Sequence, residues 1–301
     1  MDLTPLSEPH SQGQSNPNQT SHLEDVPYQV HQISASSSIR IVCISDTHCT
    51  QPSLPEGDIL LHAGDLTNKG SFEEIQAQLG WLKEAPHKYK VVIAGNHDVL
   101  LDPAYVKRFP DRIYEGEGTS QTDLNWGDII YLNRSSIKLD FPNGRSLDIY
   151  GSPLTEQFGT WAFQYPPIRD VWTNSIPKGT DILLTHGPPR GHLDLGGKGC
   201  RFLLKEIWRV RPRLVVFGHI HADHGQQAIT YSSDEASYDI PMMGEIGVWA
   251  TFVIRFRLAS EKLSELLCWR SEASSSTTLV NAAVVGGPGN VEGRPAIVID
   301  I

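Results

Sequence analysis

Between residues 46 and 221 the chain carries five short polar clusters made of metal-ligand chemistry. They are Asp46-x-His48, Gly64-Asp65, Gly95-Asn96-His97-Asp98, His186 and His219-x-His221. Taken singly each is weak, because Asp-x-His is common and a lone histidine is more often a satisfied core residue than a ligand. Their placement is what informs. Each stands directly after an apolar run, at 39–45, 58–63, 89–94, 181–184 and 214–217. A fold that gathers these runs puts Asp46, Asp65, Asn96, His48, His186, His219 and His221 on one rim, with His97 beside them. Burying so many ionisable groups without partners is costly. Divalent cations satisfy them together. Neutral imidazole and carboxylate donors suit Mn, Fe, Zn, Ni or Mg, and residue types alone do not choose among these.

The elements that must position the clusters follow from hydropathy. Continuous Val/Ile/Leu runs of this length read as strands buried on both faces. Their polar ends then share one rim of the sheet, where α/β enzymes place their chemistry. A further run at 147–150 leads into Gly151-Ser152-Pro153. Phe72, Ile75, Leu79 and Leu82 step at helical spacing with Pro86 beyond them, as do Cys200, Leu203, Leu204 and Ile207 with Pro212 as the stop. Late strands are expected at 277–285 and 295–301, around the turn Gly286-Gly287-Pro288-Gly289. A helical insertion is expected at about 222–276. Within it Trp249, Phe252, Val253, Phe256, Leu263 and Leu267 share the face of an amphipathic helix over 248–269. Residues 1–38 are polar, rich in Ser, Gln and Asn, and read as a disordered tail. The alternative is that residues 26–30 dock as an edge segment. One domain is thus expected over 39–301.

Composition narrows the function. At 301 residues and 39% hydrophobic, the chain is long enough to bury a core without disulfides or structural metal. A formal net charge of −10 argues against a nucleic-acid polymer as partner, since such a binder needs a basic face. Cys43, Cys49, Cys200 and Cys268 form no CxxC pair, which excludes a zinc ribbon or a thioredoxin motif and reads as four reduced thiols. No apolar run reaches the ~18 residues of a membrane span, and no signal-peptide pattern opens the chain. A cytoplasmic location is the expectation. Nothing in the sequence marks a protein partner.

The order of the five clusters resembles that of the calcineurin-like metallophosphoesterase superfamily, over nearly everything from Ile41 to Ile301. Four stretches are similar to the metallophosphoesterase-domain-containing subgroup, in its fungal type: residues 57–65 (GDILLHAGD), 150–153 (YGSP), 181–189 (DILLTHGPP) and 279–282 (LVNA). The resemblance implies an α/β fold of αββα type, two mixed sheets face to face with helices outside. It implies two divalent ions, Mn foremost, with Asp46, His48 and His221 on the first, Asn96, His186 and His219 on the second, and Asp65 bridging. The ions clamp a phosphate and acidify a shared water, whose hydroxide attacks phosphorus in line. His97 would stabilise the transition state or protonate the leaving oxygen. Some members of the subgroup lack one histidine of the Gly-His-x-His block; both are present here, which argues for a working enzyme.

One departure bears on substrate. Phosphoprotein phosphatases of the superfamily carry Asp-Arg three and four residues after the bridging aspartate; here these positions are Asn68 and Lys69. The missing Arg removes a bidentate phosphate clamp, and the missing Asp removes the carboxylate that orients the catalytic histidine. The expectation is a phosphodiesterase or phosphatase on small esters such as cyclic nucleotides. The alternative is a nucleotide-binding or scaffold protein with residual catalysis. Asn96, His97, Arg190 and His192 are candidate substrate contacts. Trp161, Tyr165 and Trp172 either stack on a base or, more in keeping with such segments, anchor packing. His62 is expected inside a strand, and His10, His22, His31 and His87 in solvent.

Overall fold

Every apolar run noted above becomes a strand. The computed structural model describes residues 38–112, 120–244, 256, 259 and 276–301. Along the chain the strands are β1 (Arg40–Ile44), β2 (Ile59–His62), β3 (Tyr89–Val92), β4 (Ile130–Tyr131), β5 (Ser135–Asp140), β6 (Ser146–Ser152), β7 (Thr155–Glu156), β8 (Gln164–Tyr165), β9 (Ile182–Thr185), β10 (Leu214–Phe217), β11 (Gly225–Ile229), β12 (Thr277–Asn281), β13 (Val285–Gly286), β14 (Glu292–Gly293) and β15 (Ile297–Asp300). The helices are α1 (Phe72–Glu84), α2 (Pro103–Arg108), α3 (Arg201–Val210) and α4 (Ser233–Met242).

Two mixed sheets form the middle of the fold. One has the order β15-β1-β2-β3-β4, the other β11-β12-β10-β9-β6-β5. β1 to β4 run parallel, as do β6, β9, β10 and β12; β15, β5 and β11 are antiparallel edges. Strand alternation divides the apolar residues into layers. Ile41, Cys43, Leu61 and Val91 of the first sheet pack with Ile149, Ile182, Leu184 and Val216 of the second. The opposite face of the first sheet, including Val42, Leu60 and Val92, packs on Ile75, Leu79 and Leu82 of α1. That of the second, including Leu183, Val215 and Phe217, packs on Leu203, Leu204 and Ile207 of α3. The result is the expected helix–sheet–sheet–helix sandwich. Ser71 starts α1 by accepting from the Glu74 amide, and Arg211 in a left-handed conformation ends α3 just before Pro212.

Register delivers the polar clusters to one level. Ile44 pairs with His62 and His62 with Val92, so the chain leaves β1, β2 and β3 together, and the Asp46 amide donates to the Gly64 carbonyl at 2.8 Å. In the second sheet the Gly218 amide donates to His186 O at 3.0 Å. The sheets are tied at this same rim. Ser45 donates to Ala282 O at 2.8 Å and accepts from Val284 N at 2.9 Å.

The structure modifies several expectations. The span 222–276 is not purely helical: β11 joins the second sheet beside β12, and α4 covers only part of the rest. The helix expected over 248–269 lies outside the described residues except for Phe256 and Ala259, as does the tail over 1–37. The strand expected at 277–285 stops at Asn281. There the side-chain amide donates to Leu193 O and Ile220 O, its Oδ1 accepts from Ala283 N, and the chain passes to the first sheet through an isolated bridge between Ser45 and Ala283. His87 is buried rather than solvated, its Nε2 donating to Pro55 O at 3.0 Å. Among the described residues no helix is long and apolar enough to cross a membrane.

Candidate metal centre

Asp46 and His48 follow β1, Asp65 follows β2, Asn96 and His97 follow β3, His186 follows β9, and His219 and His221 follow β10. Tight loops at parallel strand ends impose unusual backbone. Asp46, His48, Asp65 and His219 have φ of 52°, 43°, 54° and 66°, in the left-handed region that costs a non-glycine residue ~1–2 kcal/mol. Bonds across the rim hold them there: His48 N donates to Asp65 O at 3.1 Å, and His219 N to both carboxylate oxygens of Asp46 at 3.0–3.1 Å. Close approach also dictates two glycines. A Cβ on Gly95 would collide with Asp65 Oδ1, and one on Gly218 with Asp46 Oδ2.

Asp65 occupies the middle. Its Oδ2 lies 3.4 Å from His186 Nε2 and 3.7 Å from His48 Nε2. On one side His221 Nε2 lies 3.1 Å from Asp46 Oδ1. On the other, Asn96 Oδ1 is 3.0 Å from His186 Nε2, and the His186 and His219 rings are 5.0 Å apart. The potential ligand atoms fall into overlapping trios: Asp46, His48 and His221; His48, Asp65 and His97; Asp65, His186 and His219. Asp46 and His186 are fully buried.

The ring nitrogens show that this donor set fits cations. His48 Nδ1 faces Thr67 O at 3.1 Å, His186 Nδ1 faces Ala63 O at 2.9 Å, and His221 Nδ1 faces Asn290 Oδ1 at 3.0 Å. Carbonyl oxygens only accept, so each Nδ1 carries a proton, and a cation at Nε2 would find the neutral ring's lone pair turned inward. The Nε2 atoms of His48 and His221 meet at 3.4 Å. Beside them stand Asp46, Asp65 and Asn96 Oδ1, which also accept. Converging acceptors repel unless positive charge sits among them. The carboxylates themselves bias the site toward positive charge. Burial opposes charge on His186, yet Asp65 and Asp46 outweigh it and push its pKa up to about 9. Burial likewise raises Asp46, but the His221 bond and nearby His186 bring it down to about 2.

A family profile for calcineurin-like phosphoesterases matches residues 39–223, which carry all of these candidate ligands. The chain belongs to the calcineurin-like phosphoesterase family. The human metallophosphoesterase domain-containing protein 1 is 37% identical over 243 residues, 72% of this chain and 71% of that protein. A UPF0046 protein of Caenorhabditis elegans is 35% identical over 195 residues, 62% of this chain and 65% of that protein. A protein of Emericella nidulans named probable rhamnogalacturonate lyase C is 43% identical over 265 residues, 87% of this chain; the chain spans 24% of that protein's length.

The centre of this calcineurin-like phosphoesterase is buttressed by residues that its sequence did not single out. The buried Asp98 carboxylate accepts from the amides of Leu66, Thr67 and Gly95 and from the Thr67 hydroxyl, at 2.7–3.2 Å. It thereby locks the Asp65 loop to the Asn96 loop. Its position in Gly95-Asn96-His97-Asp98 was the available signal. Asn290, 69 residues from His221, had none. Asn290→Gly keeps the left-handed backbone there (φ 57°) and removes the bond to His221 Nδ1. Metal affinity is expected to fall ~10–100-fold, the usual effect of losing a partner that orients a ligand; calorimetric titration of the metal-free protein checks this, and unchanged affinity means that His221 needs no such support.

The remaining candidates are placed differently. His97 is half-buried beside the cluster. Its Nδ1 donates to Asn68 O at 2.7 Å, its amide to Asp65 Oδ1 at 2.7 Å, and its ring packs on Trp161 at 4.1 Å. The main-chain carbonyl of Asn68 therefore orients the ring. Arg190 is exposed on the loop after His186, near Glu156. His192 does not face the centre as a substrate contact would: it is fully buried, with Nε2 2.7 Å from Asp239 Oδ1 on α4. Tyr165 and Trp172 are buried packing residues, Trp172 Nε1 donating to Tyr165 Oη at 2.8 Å. His62 is buried in β2, 3.0 Å from the Thr47 hydroxyl.

Proposed function

We propose that the chain is a metal-dependent phosphodiesterase acting on small phosphate esters, cyclic nucleotides among them. The observation that carries the reading is the Asp65 carboxylate, which faces His48 and His186 from between two ligand groups. Asp46, His48 and His221 would hold one divalent ion and Asn96, His186 and His219 a second, with Asp65 shared. Such ions, Mn foremost and Fe, Zn, Ni or Mg as alternatives, supply positive charge to phosphate oxygens and acidify a water. The chain's own part is to fix that charge in place. Thr67 O, Ala63 O and Asn290 hold the imidazoles in one tautomer, and Asp98 holds the loops. His97, aimed by Asn68 O and Trp161, stands where it can donate a proton to a leaving oxygen. Asn68 and Lys69 in place of an Asp-Arg pair favour small esters over phosphoproteins.

The test is hydrolysis of bis-p-nitrophenyl phosphate, p-nitrophenyl phosphate and 2′,3′- and 3′,5′-cyclic nucleotides by protein loaded with Mn, and again after chelation. Diester turnover is expected to exceed monoester turnover and to vanish with the metal. Nucleotide binding without metal-dependent turnover on any of these would favour a binding or scaffold role instead.

A further inference from the structure

Thr47 stands between two candidate ligands, Asp46 and His48, and His62 ends β2 just ahead of Asp65. Neither residue is among the ligands assigned above, and both are fully buried. Burying an imidazole and a hydroxyl is costly unless their polar atoms find partners. Here all three find one.

The direction of each hydrogen bond follows from the main chain. The Gly64 amide can only donate, and it donates to His62 Nδ1 at 3.2 Å. Nδ1 is therefore the bare nitrogen of a neutral ring, and Nε2 carries the proton. That N–H donates to Thr47 Oγ1 at 3.0 Å. The Thr47 hydroxyl in turn donates to Leu66 O at 3.3 Å, since a carbonyl only accepts. Burial outweighs the pull of Asp46 and Asp65 and pushes the His62 pKa down to about 3, so the ring stays neutral around pH 7. The tautomer is the reverse of that at His48, His186 and His221, whose Nδ1 atoms carry a proton. With both nitrogens engaged inside the protein, His62 has no lone pair to offer a cation.

The relay joins two loops that have left their strands. The β1–β2 ladder ends at Ile44 and His62. Beyond it Asp46, His48, Cys49 and Asp65 are all left-handed. Main-chain bonds still cross from one loop to the other. Asp46 N donates to Gly64 O at 2.8 Å, His48 N to Asp65 O at 3.1 Å and Cys49 N to Leu66 O at 2.8 Å. The His62–Thr47–Leu66 relay runs among them, and Thr47 O closes the turn by accepting from Thr50 N and Oγ1 at 2.7 and 2.6 Å. The chemistry at position 62 is narrow. Lysine or arginine could not accept from Gly64 and would set a positive charge near a site for cations. A carboxylate could not donate to Thr47. A neutral imidazole does both.

We propose that His62 and Thr47 are positioning residues of the metal centre, an uncharged link that fixes the loop of Asp46 and His48 against the loop of Asp65 and so sets the affinity for a pair of divalent ions. The proposal rests on the metal reading of the centre and adds two residues that act through the ligands without touching an ion.

Metal binding tests it, on the full chain and well below its melting temperature. Calorimetry follows Mn into the metal-free protein, and electron paramagnetic resonance reads the spin-coupled signal of a Mn pair. Thr47→Val keeps the shape and removes the hydroxyl. It is expected to weaken Mn binding at least ~10-fold, as losing an outer partner of a metal site does, and to lose the coupled signal at Mn concentrations that give it in the parent. Thr47→Ser restores the hydroxyl and should return the affinity to within about threefold of the parent. His62→Leu, which lacks both hydrogen bonds, should lose as much as Thr47→Val, and His62→Gln, which keeps an N–H for Thr47, should lose less. Should Thr47→Val fail to fold, the Leu and Gln variants at position 62 carry the same comparison. A merely structural role would lower the melting temperature of the metal-free protein and leave Mn affinity unchanged in whatever folds. That result, or equal losses for Leu and Gln at position 62, would overturn the proposal. A parent that binds no Mn would sink the metal reading itself, and this proposal with it, whereas a parent that binds a Mn pair no better than Thr47→Val would sink the positioning role alone.

Discussion

Asp65→Asn is expected to lower kcat by at least ~10³-fold and to reduce the bound metal below that of the parent. The reason lies in the two oxygens of one carboxylate. Oδ1 accepts the His97 amide at 2.7 Å, while Oδ2 faces His48 and His186. An amide has one acceptor for these two tasks. If its oxygen keeps the His97 amide, its NH₂ points at the cations. If it turns around, NH₂ confronts the His97 N–H. Either orientation also removes a negative charge from between the two ligand groups. Metal charge at a phosphoryl centre contributes several kcal/mol, and each ~1.36 kcal/mol is tenfold in rate, which gives the size of the loss. Turnover of bis-p-nitrophenyl phosphate and metal content by elemental analysis check it. A variant within tenfold of the parent, with the full metal complement, would mean that Asp65 is not shared.

The residues around Asp65 show what could be read before the fold was known. Asp46, His48, Asn96, His186, His219 and His221 each follow an apolar run, and a buried parallel strand must expose its polar end at one rim. The helices α1 and α3 were equally legible, since Pro86 and Pro212 stop them. What could not be read depends on contacts across long stretches of chain. Asn290 meets His221 only because the chain after β12 crosses to Ser45 at the rim. His192 looked like a substrate contact from its nearness to His186, but Asp239, 47 residues on, draws it into a buried pair, and Trp208 Nε1 donates to the other carboxylate oxygen at 2.6 Å. The strand β11 escaped notice because its sequence, Gly-Gln-Gln-Ala-Ile, has little apolar content; as an edge with three exposed residues it needs none. Asn68 read as a loss relative to phosphoprotein phosphatases, because side chains carry a sequence comparison and main-chain carbonyls do not appear in it.

That carbonyl frames the remaining prediction. His97→Ala is expected to lower kcat ~10²–10⁴-fold on diesters with poor leaving groups, the usual reach of acid–base catalysis, while leaving metal content intact. The variant keeps the main-chain N–H that bonds Asp65, so that carboxylate stays held. It loses the ring that Asn68 O and Trp161 aim. With Nδ1–H committed to Asn68 O, Nε2 is the nitrogen left to meet a substrate, and it acts as an acid only in the imidazolium form, which carries a second proton there. A general acid matters only where the departing oxygen needs a proton. The loss should therefore be small, about tenfold or less, for p-nitrophenyl esters, whose leaving group departs as a stable anion, and large for a cyclic nucleotide, whose leaving group is a ribose alkoxide. Comparing the two substrates separates the roles. Equal losses on both would make His97 a stabiliser of charge on the phosphoryl oxygens rather than an acid. Loss of metal would make it a ligand, since His97 also falls within ligand range of His48 and Asp65.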